Sequence, residues 1–421
     1  MDEDQARLFG RRLKTVDERL SSVLDPAARL LRVGFRVRLG GILAGPSPRA
    51  LRMRGLADFY FSQLGLLLHR GQLTAGKTFT DMVASLRWSQ DVVGVEHAVL
   101  EGNSRTGPLH VGLLRVDPTK VRIEVRDLRR ESARGRSFRE VVAEAGALAA
   151  TSGGFFLYSE PDISPPSRRF DPVGLLVSGG NVLNPPTHRR GSLLIDSAGT
   201  PSVQHVGPEG LVFRVRGRRV LAERTVNRAQ GGWGPPEHSL SIVGTRVVEV
   251  GTQLSVPLNG FVVPVPEGLR VREGDRVEFE LPMSEGIAGG PMLVEEGRPA
   301  LDMRAEDFWD GAPPQTFSQD ETGDRNLLPR LAIGLDSSGR LVFAAIDGRN
   351  FHRALGLTLA RTADLMIALG CHRACNFDGG SSKRMVVGGK EIDLATTEVV
   401  DRSVEKKPTR PVHTGVFIFR R

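Results

Sequence analysis

The chain is poor in the residues that build stapled or metal-held modules. It has 2 cysteines in 421 residues, which excludes a disulfide framework and any cysteine-rich zinc module. Aromatics make up 6%, with 2 tyrosines and 3 tryptophans. Lysine is scarce as well: 7 of the 57 basic residues are lysines, which leaves 50 arginines. Arginine suits bidentate phosphate binding. A bias spread over the whole chain is not a nucleic-acid signature, however, and no specific nucleic-acid partner is expected. Long hydrophobic runs are missing. The most apolar stretch, Leu56 to His69, is 14 residues long and contains Asp58 and Gln63, whereas a bilayer-spanning helix needs about 20 apolar residues. The start, Met1-Asp2-Glu3-Asp4, is acidic and no apolar leader follows it, so the expected location is cytoplasmic, with the membrane periphery as its variant.

Glycine and turn chemistry are abundant. Gly 49 and Pro 26 together make 75 of 421 residues, the mark of a chain with many turns and short strands. The hydrophobic share of 40% and charged share of 25% are those of a globular protein with ample core. The net charge of +8 is unevenly placed: residues 1–90 hold 15 basic against 8 acidic side chains, and the rest of the chain is nearly balanced. The segment 4–39 reads as basic and helical, with further helices expected from about Ala50 to His69 and Phe79 to Trp88. We therefore divide the chain into a basic helical region, 1–93, and a larger domain, 94–421. The basic region is either a solvated face packed on the main domain or a surface for an anionic lipid or a protein partner.

From Gly94 onward, short β-branched runs alternate with polar turns, as in HVGLLRV, VRIEVRDL and LAIGLDSSGRLVFAAIDG. SFREVVAEAGALAA (137–150) reads as a helix. So does Thr358 to Leu369, with Thr358 as N-cap and Gly370 where a C′ glycine belongs. The expected fold class is α+β: a β-rich mixed-sheet domain with a few helices, preceded by the helical N-terminal region.

Three glycine-marked corners follow apolar runs: Thr151-Ser152-Gly153-Gly154-Phe155, Asp347-Gly348-Arg349-Asn350 and Asn376-Phe377-Asp378-Gly379-Gly380-Ser381-Ser382-Lys383. A carboxylate at a strand end followed by glycine either caps its own turn or fixes an acid beside backbone N–H groups that can cradle an anion. Two such corners in one domain, with Arg330 and Arg349 nearby in sequence, supply what cleavage of a sugar–phosphate linkage needs: two acids and guanidinium forks for phosphate. Spacing alone leaves open whether the corners converge.

The order of these blocks resembles the phosphodiester glycosidase family. The resemblance runs from GPLHVGLLRVDPTKVRIEV through ALAATSGGFF, DPVGLLVSGGNVLNP, TVNR, GIAGGPMLVEEG and LLPRLAIGLDSSGRLVFAAIDGRN to GLTLARTADLMIALGCHRACNFDGGSSKRMVVGG. That family includes a lysosomal N-acetylglucosamine-1-phosphodiester glycosidase and bacterial exopolysaccharide-associated proteins. The resemblance implies hydrolysis of the bond between an anomeric carbon and a phosphodiester oxygen, with release of free sugar; no motif in the sequence requires a metal, and no cofactor is expected. By the same resemblance, Asp378 and Asp347 would supply the nucleophile or base, and Arg330 and Arg349 would bind the phosphate. Gly153, Gly154, Phe155, Asn227, Gly379, Gly380, Ser381 and Ser382 would contact substrate. The chain departs from the family pattern at Ser152 (asparagine in the family), Phe377 (leucine), Ser381 (a third glycine) and Arg384 (a small residue). The alternative reading is a non-catalytic sugar-phosphate or nucleotide-binding module docked through its basic helices.

Three further features carry less. Gly71–Thr78 satisfies the string GxxxxGK[ST] but lacks room for a nucleotide-binding fold before the next domain begins. Cys371 and Cys375 read as buried structural thiols. Trp233, in a glycine-rich loop, reads as a sugar-stacking platform or a loop anchor.

Overall fold

The computed structural model describes residues 62–67, 69–73, 75–158, 163–308, 326–350, 353–394, 396 and 410–421. The expected helix within 4–39 and most of the one from Ala50 lie outside the described residues. Backbone hydrogen bonding assembles the described chain into five sheets. The largest has eight strands in the order Ser89–Val92, Val95–Ser104, Gly107–Val116, Leu341–Ile346, Arg330–Asp336, Cys371–Phe377, Met292–Glu295, Arg298–Pro299. Its middle strands are buried on both faces because their side chains alternate between two cores. Leu341, Phe343 and Ala345 enter one core, and Val342, Ala344 and Ile346 the other.

The first core is closed by two five-stranded sheets. One orders Lys390–Glu391, Met385–Val387, Ala149–Ser152, Thr414–Arg420 and Val121–Asp127; the other is built around Glu285–Ala288 and Arg190–Ile195. The second core is closed by the helix Leu359–Ala368, whose buried Leu359, Thr362, Ala363, Leu365 and Met366 recur at helical spacing. Thr358 caps that helix by accepting the Arg361 N–H at 3.2 Å, and Gly370 leaves it at φ +86°, a left-handed position suited to glycine. A four-stranded and a three-stranded sheet share a smaller core around Phe213 and Phe261.

The structure corrects two sequence expectations. The sheets are not mixed: every ladder between described strands is antiparallel, from Val95–Ser104 on Gly107–Val116 to Thr414–Arg420 on Val121–Asp127; where the helix Leu359–Ala368 links two strands of one sheet, Leu341–Ile346 and Cys371–Phe377, the strand Arg330–Asp336 lies between them and runs against both. The helix expected over 137–150 spans only Phe138–Glu144. Gly146, at φ +67°, turns the chain, and Ala149–Ser152 becomes a strand between Met385–Val387 and Thr414–Arg420. Alanine is a good helix former, but here all four strand residues are buried, and tertiary packing overrides propensity. Among the described residues before 94, part of the chain packs on the larger domain. Ser89–Val92 is the edge strand of the main sheet, and Met82, on the helix Phe79–Ala84, packs with Ala98 and Leu100.

Candidate active site

The three glycine corners meet at the junction between the eight-stranded sheet and the sheet containing Ala149–Ser152. The Asp378 N–H donates to the Gly153 carbonyl at 3.1 Å, and the Gly380 N–H donates to the Pro329 carbonyl at 3.0 Å. A Cβ on Gly379 would lie 2.5 Å from the Pro329 oxygen, and one on Gly348 would lie 2.7 Å from the Pro329 nitrogen. Both glycines are therefore demanded by backbone crossing rather than by a turn. Gly154 donates to Thr414 Oγ1 at 3.0 Å, which ties the first corner to the last strand. Gly153, Gly154, Arg330, Asp347 and Asp378–Ser382 are thus brought together from distant parts of the chain.

Each predicted residue is held in its own way. Asp347, directly after Leu341–Ile346, is 1% exposed. Its Oδ1 accepts from Lys383 Nζ at 2.5 Å and from the Leu394 N–H at 3.0 Å, while Oδ2 pairs with His110 Nδ1 at 2.6 Å. Lys383 Nζ also donates to Asp393 Oδ2 at 2.6 Å and to the Leu394 carbonyl at 3.2 Å. The result is a buried, fully paired network of one lysine, two aspartates and a histidine. Arg330 is completely buried, with Nε donating to the Leu357 carbonyl at 3.1 Å and Nη2 to the Asn326 carbonyl at 3.3 Å. Arg349 is half-buried at φ +57°, a strained value for a residue with a side chain. Asp378 is 6% exposed at the end of Cys371–Phe377.

Two predicted substrate contacts are committed elsewhere. Asn227 lies in another sheet; its Nδ2 donates to Asp307 Oδ2 at 2.9 Å and its Oδ1 accepts from Ala229 and Gln230. The Phe155 ring packs in a core with Leu157, Val173, Leu258 and Phe308.

Sequence reasoning missed His110, Lys383, Asp393 and Arg410 and gave Arg384 only as a departure from pattern. The legible signal was Lys383-Arg384 itself: a lysine in a chain with few, placed directly after a glycine-serine turn and followed by an apolar strand. Ser152, the other departure, meets Arg384. Its Oγ accepts the Arg384 N–H at 2.9 Å, and its own N–H donates to the Arg384 carbonyl at 3.0 Å. Arg410 donates from Nη1 to Ser381 Oγ at 3.0 Å and lies 3.5 Å from the centre of the Tyr158 ring and 5.0 Å from that of Phe156. Beside it, His413 stacks on Phe170 and meets Phe156 edge-on. Burial, with Arg410 and Arg129 acting in the same direction, pushes the His413 pKa down to about 3, so this imidazole is neutral. Burial likewise lowers the Arg384 pKa, with Arg410 pushing the same way against Asp393 and Glu391.

The phosphodiester glycosidase family matches residues 209–419, half of the chain, including Arg330, Asp347, Asp378–Arg384 and Arg410. The chain belongs to the phosphodiester glycosidase family. Its fold is also that of a hypothetical protein from Synechocystis, at TM-score 0.51 and 18% identity over 80% of this chain and 64% of that one. The zebrafish N-acetylglucosamine-1-phosphodiester α-N-acetylglucosaminidase catalytic domain, auto-inhibited by its pro-peptide, superposes at TM-score 0.47 with 13% identity over 79% of this chain and 85% of that one. A curated relative, the SPbeta prophage-derived uncharacterized protein YomE of Bacillus subtilis, is 38% identical over 81 residues, which is 19% of this chain and 12% of that protein.

The remaining sequence features of this phosphodiester glycosidase family member take structural roles. In the string 71–78, Lys77 pairs by its backbone with Asn103 and Arg105, and Thr78 caps Phe79–Ala84 in a reciprocal box with Asp81. A Cβ on Gly76 would meet the Ser104 oxygen at 2.3 Å, so that glycine serves a backbone crossing. Cys371 and Cys375 are buried and unlinked, and burial raises the Cys371 pKa to about 12. Trp233 is 70% exposed on its loop. Among the described residues no helix is long and apolar enough to cross a membrane.

Proposed function

We propose that the chain hydrolyses the bond between a sugar's anomeric carbon and a phosphodiester oxygen, taking an N-acetylglucosamine-1-phosphodiester-like substrate and releasing free sugar and a phosphomonoester. The observation that carries this reading is the convergence of the three glycine corners, two of them crossing at Pro329 and the third accepting the Asp378 N–H, in a chain of the phosphodiester glycosidase family. Asp378 is the reacting carboxylate, either attacking the anomeric carbon or deprotonating the water that does. Asp347 is not available for that task. Lys383, the Leu394 N–H and His110 already occupy its carboxylate, and we assign it the role of holding Lys383 and, through it, the turn after Asp378. A phosphomonoester leaves as an anion, so stabilisation by guanidinium groups replaces a strong general acid.

The test is release of free sugar from a panel of sugar-1-phosphodiesters, including α-GlcNAc-1-phosphate esters and UDP-GlcNAc. Asp378→Asn lowers kcat by about 10²–10⁴-fold, Lys77→Ala leaves it unchanged, and EDTA has no effect. Turnover that survives Asp378→Asn overturns the assignment of the reacting group. Binding across the panel without turnover favours the non-catalytic module instead.

A further inference from the structure

Arg384 is 1% exposed. Its Nη1 donates to the Lys383 carbonyl, but among the described residues its Nε and Nη2 have no hydrogen-bond partner. These two nitrogens form one edge of the guanidinium, the edge whose parallel N–H bonds fork onto two oxygens of a phosphate or carboxylate. A buried guanidinium edge left without an acceptor is costly. Two residues earlier, Ser382 Oγ is also buried and lacks a partner among the described residues.

Charges of both signs act on Arg384: Asp393, Glu391 and Asp347 against Arg410. Lys383 turns into Asp347 and Asp393, which are already engaged. On the other side, Arg410, braced by Ser381 and the Tyr158 ring, adds a second cation. Asp378 and Arg384 begin and end the same turn and are hydrogen-bonded to consecutive residues, Gly153 and Ser152. The two ends of the turn are therefore anchored on one strand end, Ser152-Gly153.

We propose that the Nε/Nη2 edge of Arg384, with Ser382 Oγ, grips the two non-bridging oxygens of the substrate's phosphodiester, Arg410 supplying a second positive charge. The assignment rests on the hydrolytic reading above and moves phosphate recognition from Arg330, whose Nε and Nη2 serve backbone carbonyls, to a residue that departs from the family pattern. With the phosphate held here, the anomeric carbon one bond away falls beside Asp378.

The experiment uses the full chain and reads binding and turnover separately. Calorimetric titration with inorganic phosphate and with dimethyl phosphate is run on wild type, Arg384→Met, Arg384→Lys and Ser382→Ala, with acetate as the carboxylate arm. Arg384→Met weakens both phosphates by about tenfold to a hundredfold and raises KM for the sugar-1-phosphodiester by a similar factor, with kcat changed less. Arg384→Lys, which keeps the charge and loses the fork, falls between. If Arg384→Met does not fold, Arg384→Lys and Ser382→Ala carry the comparison. Phosphate binding and KM unchanged in these variants overturn the proposal while leaving the hydrolytic reading intact. Acetate binding as tightly as phosphate, and lost in Arg384→Met, overturns the phosphodiester assignment in favour of a carboxylate. Arg384-dependent phosphate binding without turnover of any diester upholds the seat and sinks the hydrolytic reading.

Discussion

Lys383 and Arg384 are neighbours in sequence, equally buried, and opposite in how their charge is held. The lysine ammonium has two carboxylates and a carbonyl. The arginine keeps one edge of its guanidinium without an acceptor among the described residues. A folded protein tolerates a buried charge when it is paired, and breaking one partner of such a pair is strongly destabilising. A buried guanidinium edge without an acceptor among the described residues brings no such benefit to folding, and this contrast is what motivates assigning Arg384 to a ligand.

The sharpest way to break this comparison is to remove each charge in turn. Lys383→Met leaves Asp347 and Asp393 without their cation and costs about 3–5 kcal/mol of stability. Arg384→Met, measured in phosphate-free buffer by denaturant midpoint, costs little or stabilises. Equal losses in the two variants would erase the distinction.

A smaller effect comes from acid. His413, beside Arg410, has its pKa held at about 3 by burial, and buried His188 sits at about 4 for the same first reason. Each folded value lies below the unfolded one of about 6.5. The unfolded chain therefore takes up protons first, and stability is lost as pH falls from about 6.5 towards the folded values, at up to about 1.4 kcal/mol per unit for each group. His413→Phe keeps the ring contacts and removes one titration, so the midpoint falls less steeply between pH 7 and 5. A slope identical to wild type would mean that His413 is not the neutral partner of the cationic side.

The smallest effect is expected at Ser152→Ala, which removes the acceptor of the Arg384 N–H and costs about 1 kcal/mol without altering KM. A tenfold rise in KM would show instead that Ser152 positions the guanidinium.

Much of the architecture is legible in the sequence because it rests on local signals. The cap at Thr358, the glycine at 370 and the continuous apolar run LVFAAI all act within a few residues. The alanine-rich strand was misread because its partners, Met385–Val387 and Thr414–Arg420, lie far along the chain, and no local pattern reports that it fills the middle of a sheet. The site divides in the same way. The glycine corners were visible as strings, whereas their convergence is a backbone crossing at Pro329. His110 and Asp393 have no motif at all: one sits mid-strand and the other after a two-residue strand, and only the fold gives them Asp347 and Lys383 as partners.

The strand Thr414–Arg420 lies between Val121–Asp127 and Ala149–Ser152. Until it arrives, both neighbours offer open backbone edges, and Gly154 lacks the Thr414 hydroxyl that anchors the first corner. Closing that gap demands contacts across most of the chain, the kind of ordering that slows folding. By that argument the first glycine corner is expected to be completed late. A chain that stalled short of this step would carry an unformed corner together with two open strand edges, so incomplete maturation and strand-edge exposure would share one structural cause.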